Sequence, residues 1–126
     1  MPASIARTLL READLIFCLD FNDPKRVDRM ADALLAARAP KVMIDHHENP
    51  VDFTTIAISQ PEMAATCYVL FRVLCRLELL PYIDSVASTL MLAGILTDTG
   101  GFAYNSSDPE LFEVVAELLR HGADKD

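Results

Sequence analysis

No apolar run in these 126 residues approaches the roughly 20 residues of a membrane-spanning helix. The opening ten residues, Met1 to Leu10, lack the long apolar stretch of a secretory signal and run on into Arg11-Glu12-Ala13-Asp14. These absences predict a cytoplasmic chain with no membrane partner. Cysteine is scarce too. Cys18, Cys67 and Cys75 are odd in number, form no Cys-x-x-Cys pair and each lie in an apolar context. That spacing argues against a zinc–thiolate site and predicts free buried thiols in a reducing compartment. Cations are few: eleven Lys and Arg face nineteen Asp and Glu, for a net charge of −8. Seven of the eleven fall within residues 1–41, leaving four against thirteen acidic residues in 42–126. Duplex nucleic acid is therefore excluded as a partner, because neutralising a duplex backbone needs clustered cations. An acidic chain can still act on phosphates when metal ions supply the positive charge. There is no internal repeat, low-complexity segment or Gly/Ser linker. Also absent are a Gly-x-x-x-x-Gly-Lys phosphate loop, a Gly-x-Gly-x-x-Gly dinucleotide turn, and any recognisable Ser or Cys nucleophile motif with its activating histidine.

What remains is globular material: 52% of residues are hydrophobic and 24% charged, enough for one core. Residues 3–12 suit a short helix. Leu15-Ile-Phe-Cys-Leu19 is an unbroken apolar run closed by Asp20, which predicts a fully buried strand. Asp23-Pro24 opens a helix whose apolar positions Val27, Met30, Ala31, Leu34 and Leu35 carry it to about residue 38. Lys41-Val-Met-Ile44 is a second buried strand, ending at Asp45. Strand, helix and strand within about 30 residues form a βαβ unit and imply parallel strands. Phe53 to Ile58 is a weaker third strand. Ser59-Gln-Pro-Glu62 has the form of a capping box, opening a helix to about Leu80 with Met63, Cys67, Leu70, Phe71, Leu74 and Leu77 on one face. Asp84 or Ser85 caps the next helix, whose segment Val86 to Leu96 is apolar almost all round and so predicted to be central and buried. A last helix over 108–120 opens at Asp108-Pro109 and stops before Gly122. The expected fold class is α/β, a mostly parallel sheet flanked by helices.

Three apolar elements deliver ionisable groups to the rim of this core. Asp20 ends one strand, Asp45-His46-His47 ends the next, and Asp98 ends the most apolar helix. A carboxylate held in low dielectric without a partner is costly, and one shared cation would resolve all three. Imidazole and carboxylate are ligands of Mn, Zn and Fe. Open α/β sheets place their sites at the carboxyl ends of the strands. Asp98 also faces the unfavourable end of its helix dipole, and Gly100-Gly101 behind it allows a tight turn or a close approach to a ligand. Each group alone has a plainer explanation as a turn residue, a cap or a surface charge. Together they point to a site. His121, at a helix C-terminus, is expected to be dipole-complementing surface, and Lys25, Arg26 and Arg29 a solvated face.

Taken in order, Leu19-Asp20-Phe21-Asn22-Asp23, Asp45-His46-His47 and Gly94-Ile95-Leu96-Thr97-Asp98-Thr99-Gly100 resemble the DHH phosphoesterase superfamily. The nearest likeness is to the NrnA-like oligoribonuclease/phosphoadenosine-phosphate phosphatase branch, which is related to RecJ exonucleases. The resemblance implies hydrolysis of phosphoric esters or anhydrides by a pair of Mn2+ ions. It implies Asp20 as the carboxylate bridging both metals, His46 and Asp98 as ligands of the second metal, and His47 as the catalytic histidine facing the substrate phosphate. Asp45 would stand behind the ligands, orienting a histidine through its ring N–H. The implied partner is a phosphorylated small molecule or a short single-stranded RNA.

One family motif has no counterpart. A His-x-x-Pro-Asp-x-Asp-like strand end precedes these motifs in the family, whereas His46 is the first histidine of this chain. The family's second domain, with its Gly-Gly-Gly-His substrate loop, is also not represented. Residues 1–126 are therefore expected to be a partial DHH domain, inactive or weak alone. Two alternatives stand beside this. One is a non-catalytic α/β module that works by homo-oligomerisation or partner binding through an unpaired sheet edge. The other is an inorganic pyrophosphatase or cyclic-dinucleotide phosphodiesterase of the same superfamily.

Overall fold

Ile16 and Cys18 point inward and Phe17 and Leu19 outward along β1 (Ile16–Leu19) in the computed structural model, which describes residues 2–126, so this strand is buried on one face only and not fully as expected. The chain divides into two units, one up to Pro61 and one of Glu62–Asp126.

In the first unit α1 (Ala3–Glu12) precedes β1. The chain then crosses through a 3-10 segment, Pro24–Met30, and α2 (Ala31–Ala36) to β2 (Lys41–Asp45). The Asp23 carboxylate accepts the backbone N–H of Lys25, starting the crossover as its sequence predicts. The crossover is not one helix to residue 38, however. It breaks at Asp28, whose φ of 46° and ψ of −113° are not helical, and it stops at Ala36. β1 and β2 pair in parallel, Ile16 beside Lys41 and Leu19 beside Ile44. β3 (Ile56–Ser59) pairs in parallel on the other side of β2, Val42 beside Ile56 and Asp45 beside Ser59. The strand order is β1-β2-β3. The central strand is the most buried, as a doubly flanked strand should be.

The connection from β2 to β3, residues 46–55, contains no helix and is shorter than most parallel crossovers. Phe53 was expected to begin β3. Instead it leaves the sheet line and stacks on Phe21, with ring centroids 6.2 Å apart. A small core of Ile16, Cys18, Leu34 and Ala39 holds β1 to the crossover. Lys41 is buried, and its Nζ donates to the carbonyls of Ala37 (2.8 Å) and Ala39 (3.3 Å). The strand's first residue thus satisfies carbonyls freed behind α2.

The second unit packs α3 (Thr66–Arg76), α4 (Ser85–Thr99) and α5 (Pro109–Arg120) around Tyr68, Phe71, Leu92, Ile95, Leu111 and Leu118. The capping box expected at Ser59 does not form. Ser59 is consumed by β3, and α3 begins only at Thr66 behind Ala65, which lends no side-chain cap. α3 also ends at Arg76 rather than Leu80, near the left-handed Glu78 (φ 59°), and Leu80–Tyr82 is a separate 3-10 turn. Asp84 and Asp108 do cap their helices, accepting from the N–H groups of Ala87 (2.8 Å) and Glu110 (3.0 Å). Asp108 also receives the Tyr68 hydroxyl at 2.6 Å. Burial first, and then this bond, push the Tyr68 phenol up to about 12.

α4 departs from its expected burial on all sides. Ser88 and Thr99 face inward, while Val86 and Leu90 are each 65% exposed. The Thr99 hydroxyl is accommodated by donating to the Ile95 carbonyl at 2.8 Å. The cysteines are free, but they are not all buried: Cys18 is, Cys67 is half-buried and Cys75 is exposed. Burial pushes the Cys18 thiol up, against a smaller opposing pull from Lys41. Among the described residues no helix is long and apolar enough to cross a membrane.

Candidate metal centre

Parallel pairing brings the carboxyl ends of β1 and β2 side by side, with the Asp20 N–H donating to the Ile44 carbonyl at 3.0 Å. Asp20 then turns out of the sheet with φ 66°, a backbone that costs most L-residues and that aspartate accepts. His46 and His47 follow the end of β2. Asp20, His46 and His47 each offer one ligand atom, and these atoms all lie within 4.8 Å of one another. His46 Nε2 is 3.9 Å from Asp20 Oδ1, and the two imidazole rings stand 4.6 Å apart between centroids. Coordination bonds of about 2.1 Å can hold two ligand atoms no more than about 4.2 Å apart, so the Asp20–His46 separation fits a shared cation. One carboxylate and two imidazoles are a borderline donor set, suited to Mn, Zn or Fe.

Asp45 explains the rigidity of this corner. It is fully buried, yet both carboxylate oxygens are used by His47. Oδ2 accepts the His47 backbone N–H at 2.9 Å, and Oδ1 lies 2.7 Å from His47 Nδ1. An ionised carboxylate can only accept, so Nδ1 carries a proton and Nε2 is the atom left to meet a ligand. The 4.0 Å approach of His47 Nδ1 to Asp20 is therefore secondary to its bond with Asp45.

Asn22 is a contributor that residue-type reasoning missed. Only 4% exposed, it donates from Nδ2 to the carbonyls of His47 (3.0 Å) and Glu48 (2.9 Å), and its own carbonyl accepts from Val51 N–H (2.8 Å). It pins the loop that carries the histidines. Its only signal in the sequence is its place two residues after Asp20.

Asp98 belongs to the second unit, in the last turn of α4. Behind it Gly100, at φ 56°, forms the left-handed cap, and Gly101 N–H reaches back to the Leu96 carbonyl at 2.9 Å. A Cβ on Gly100 would fall 2.5 Å from the Tyr104 ring, so the close approach this glycine permits is to Tyr104. His121 caps α5 and is not simply solvated: its Nδ1 lies 3.2 Å from the Ile83 carbonyl. Lys25, Arg26 and Arg29 are exposed, as expected.

Residues 1–95 match the DHH family, N-terminal domain. Over 81 residues the chain is 37% identical to the bifunctional oligoribonuclease and PAP phosphatase NrnA of Thermus thermophilus, covering 64% of this chain and 24% of that protein. It is 31% identical over 121 residues to a membrane protein–large ribosomal subunit bL9 fusion protein of Onion yellows phytoplasma, covering 94% of this chain and 14% of the relative. Its fold matches the crystal structure of an exopolyphosphatase-related protein from Bacteroides fragilis with a TM-score of 0.95 and 45% identity, covering 98% of this chain and 36% of that one. The chain thus spans a quarter or less of these curated relatives. With its Asp-His-His at the end of β2 and a family match over residues 1–95, the chain belongs to the DHH family of phosphoesterases.

Proposed function

We propose that this chain is part of a Mn2+-dependent phosphoesterase that hydrolyses short oligoribonucleotides or nucleotide phosphates, with water as the nucleophile and no covalent enzyme intermediate. The observation that carries this is the convergence of Asp20, His46 and His47 ligand atoms within 4.8 Å at the carboxyl ends of β1 and β2. The substrate class is supported by the oligoribonuclease and phosphatase activities in the name of the Thermus relative. A pyrophosphatase or cyclic-dinucleotide phosphodiesterase remains the alternative within the same chemistry.

In this proposal Asp20 would help hold both ions, His46 and Asp98 would help hold one of them, and His47 would face the substrate phosphate. Bound ions would supply positive charge to phosphate oxygens and lower the pKa of a bound water. Asp45 fixes the His47 ring through Nδ1, and because a phosphate oxygen only accepts, His47 would meet it as a donor from Nε2–H without a rotamer search. Asn22 holds the following carbonyls so that both histidines stay in register.

The test is Mn2+ titration followed by calorimetry, paired with turnover in a full-length parent. Asp20→Ala should weaken Mn2+ binding by roughly tenfold or more, because it removes the carboxylate assigned to both ions. His47→Ala should largely spare Mn2+ binding and lower turnover instead. Abolished metal binding in His47→Ala with intact binding in Asp20→Ala would reverse these roles.

A second reading, assembly, is favoured by one observation. β1 is an edge strand, and Leu15, Phe17 and Leu19 on and beside it are exposed. Light scattering that finds a dimer, dissolved by Phe17→Lys, would support it; a monomer at all concentrations would remove it.

A further inference from the structure

We propose that the first unit holds a second phosphate site, a cleft between α1 and α2 that binds a phosphorylated ligand of nucleotide size without hydrolysing it. Arg7, Arg11 and Arg38 line the cleft over a floor of Ala33, Ala36 and Ala37, around a volume of about 620 Å3. None of these three guanidinium groups is in an ion pair among the described residues. That is unexpected in a chain of net charge −8, where carboxylates outnumber cations. Unneutralised like charges around one cavity repel one another, and an anion relieves that repulsion.

Two of the arginines are already held. Arg7 Nη2 donates to the Arg29 carbonyl at 2.9 Å, and Arg11 Nη2 reaches Thr8 Oγ1 at 3.5 Å. Their remaining donors are free to form paired bonds, and the planar guanidinium fork matches phosphate oxygens two at a time. The cavity volume lies within the usual range for small-molecule pockets. The alanine floor projects only methyl groups, which leaves room and an apolar surface for a base or sugar beside the phosphate.

The cleft is separate from the metal centre. Arg38 lies three residues before the first residue of β2, and His46 just after its last. A five-residue strand spans roughly 13 Å, so a ligand here is beyond the reach of His47.

The test is calorimetric titration of the 126-residue chain with AMP, inorganic phosphate and adenosine in metal-free buffer, which takes the metal centre out of the experiment. AMP should bind saturably, phosphate more weakly and adenosine not at all, and AMP affinity should fall as salt rises. The double variant Arg7→Gln/Arg38→Gln should weaken AMP by on the order of tenfold or more, with an unchanged circular dichroism spectrum because both side chains are exposed. Ala36→Glu, which sets a carboxylate in the floor, should abolish binding. Failure of the wild-type chain to bind AMP, adenosine binding as tightly as AMP, or AMP affinity unchanged in both variants would overturn the site. None of these results bears on Mn2+ binding at Asp20 and His46.

Discussion

At the residue scale the candidate centre depends on one buried carboxylate. Asp45 accepts twice from His47, once from its ring and once from its backbone. Asparagine offers one acceptor and one donor in the same volume, so Asp45→Asn either sets an N–H against Nδ1–H of His47 or forces that ring into its other tautomer. An unsatisfied buried donor costs about 1–3 kcal/mol. Loss of a partner that orients a histidine typically costs about 10–100-fold in metal affinity or activity. Asp45→Asn should therefore lower the denaturation midpoint and also reduce parent turnover within that range, with Mn2+ affinity largely spared as in His47→Ala. A variant with wild-type turnover would show that His47 is positioned without Asp45. The Asp-His-His signature was legible in the sequence, but the division of labour inside it was not. Which of the two histidines Asp45 grips depends on how the chain turns after β2, and sequence adjacency treats both alike.

At the element scale the second unit carries the clearest pH dependence. The Tyr68 phenol is raised to about 12 by burial and by its bond to Asp108, the residue that also caps α5. Its unfolded value is about 10, so the folded state binds the proton more tightly between those limits. This contribution to stability is fully present below pH of about 10 and is lost as pH rises towards about 12. Equilibrium unfolding followed by circular dichroism should show stability falling across that window, and Tyr68→Phe should flatten the fall. Helix starts were readable where a side chain makes them, as at Asp84 and Asp108. The start of α3 was not, because Ser59 serves the β2–β3 ladder and a ladder partner outranks a local capping pattern.

At the scale of the whole molecule, Asp20, His46 and His47 are the residues the structure groups as possible metal ligands among the described residues. The chain holds three histidines, and no His-x-x-Pro-Asp-x-Asp-like segment. An incompletely fixed ion loses the positioning that supplies much of the rate. The purified 126-residue chain should therefore show little or no hydrolysis of short RNA oligonucleotides or nucleotide phosphates, with or without Mn2+. Efficient Mn2+-dependent turnover would overturn that expectation and would place a complete centre within these residues.

The sequence by itself determined the α/β class, the places of β1 and β2 and the family, though not that β1 is an edge strand buried on one face only. Those follow from local quantities: apolar runs of strand length, helical spacing between them, and a motif of adjacent residues. It also put Asp20 and His46-His47 at strand ends. The parallel direction was implied by the βαβ spacing, but only the tertiary structure decided that β1 and β2 pair directly and in which register, which is what brings Asp20 within 3.9 Å of His46 across 26 positions of chain. It also decided that Asn22 pins the histidine loop, and that α4 turns Ser88 inward while leaving Leu90 outside. Those outcomes depend on which surfaces meet, and hydrophobic periodicity fixes only how each element would present a face, not which neighbour covers it.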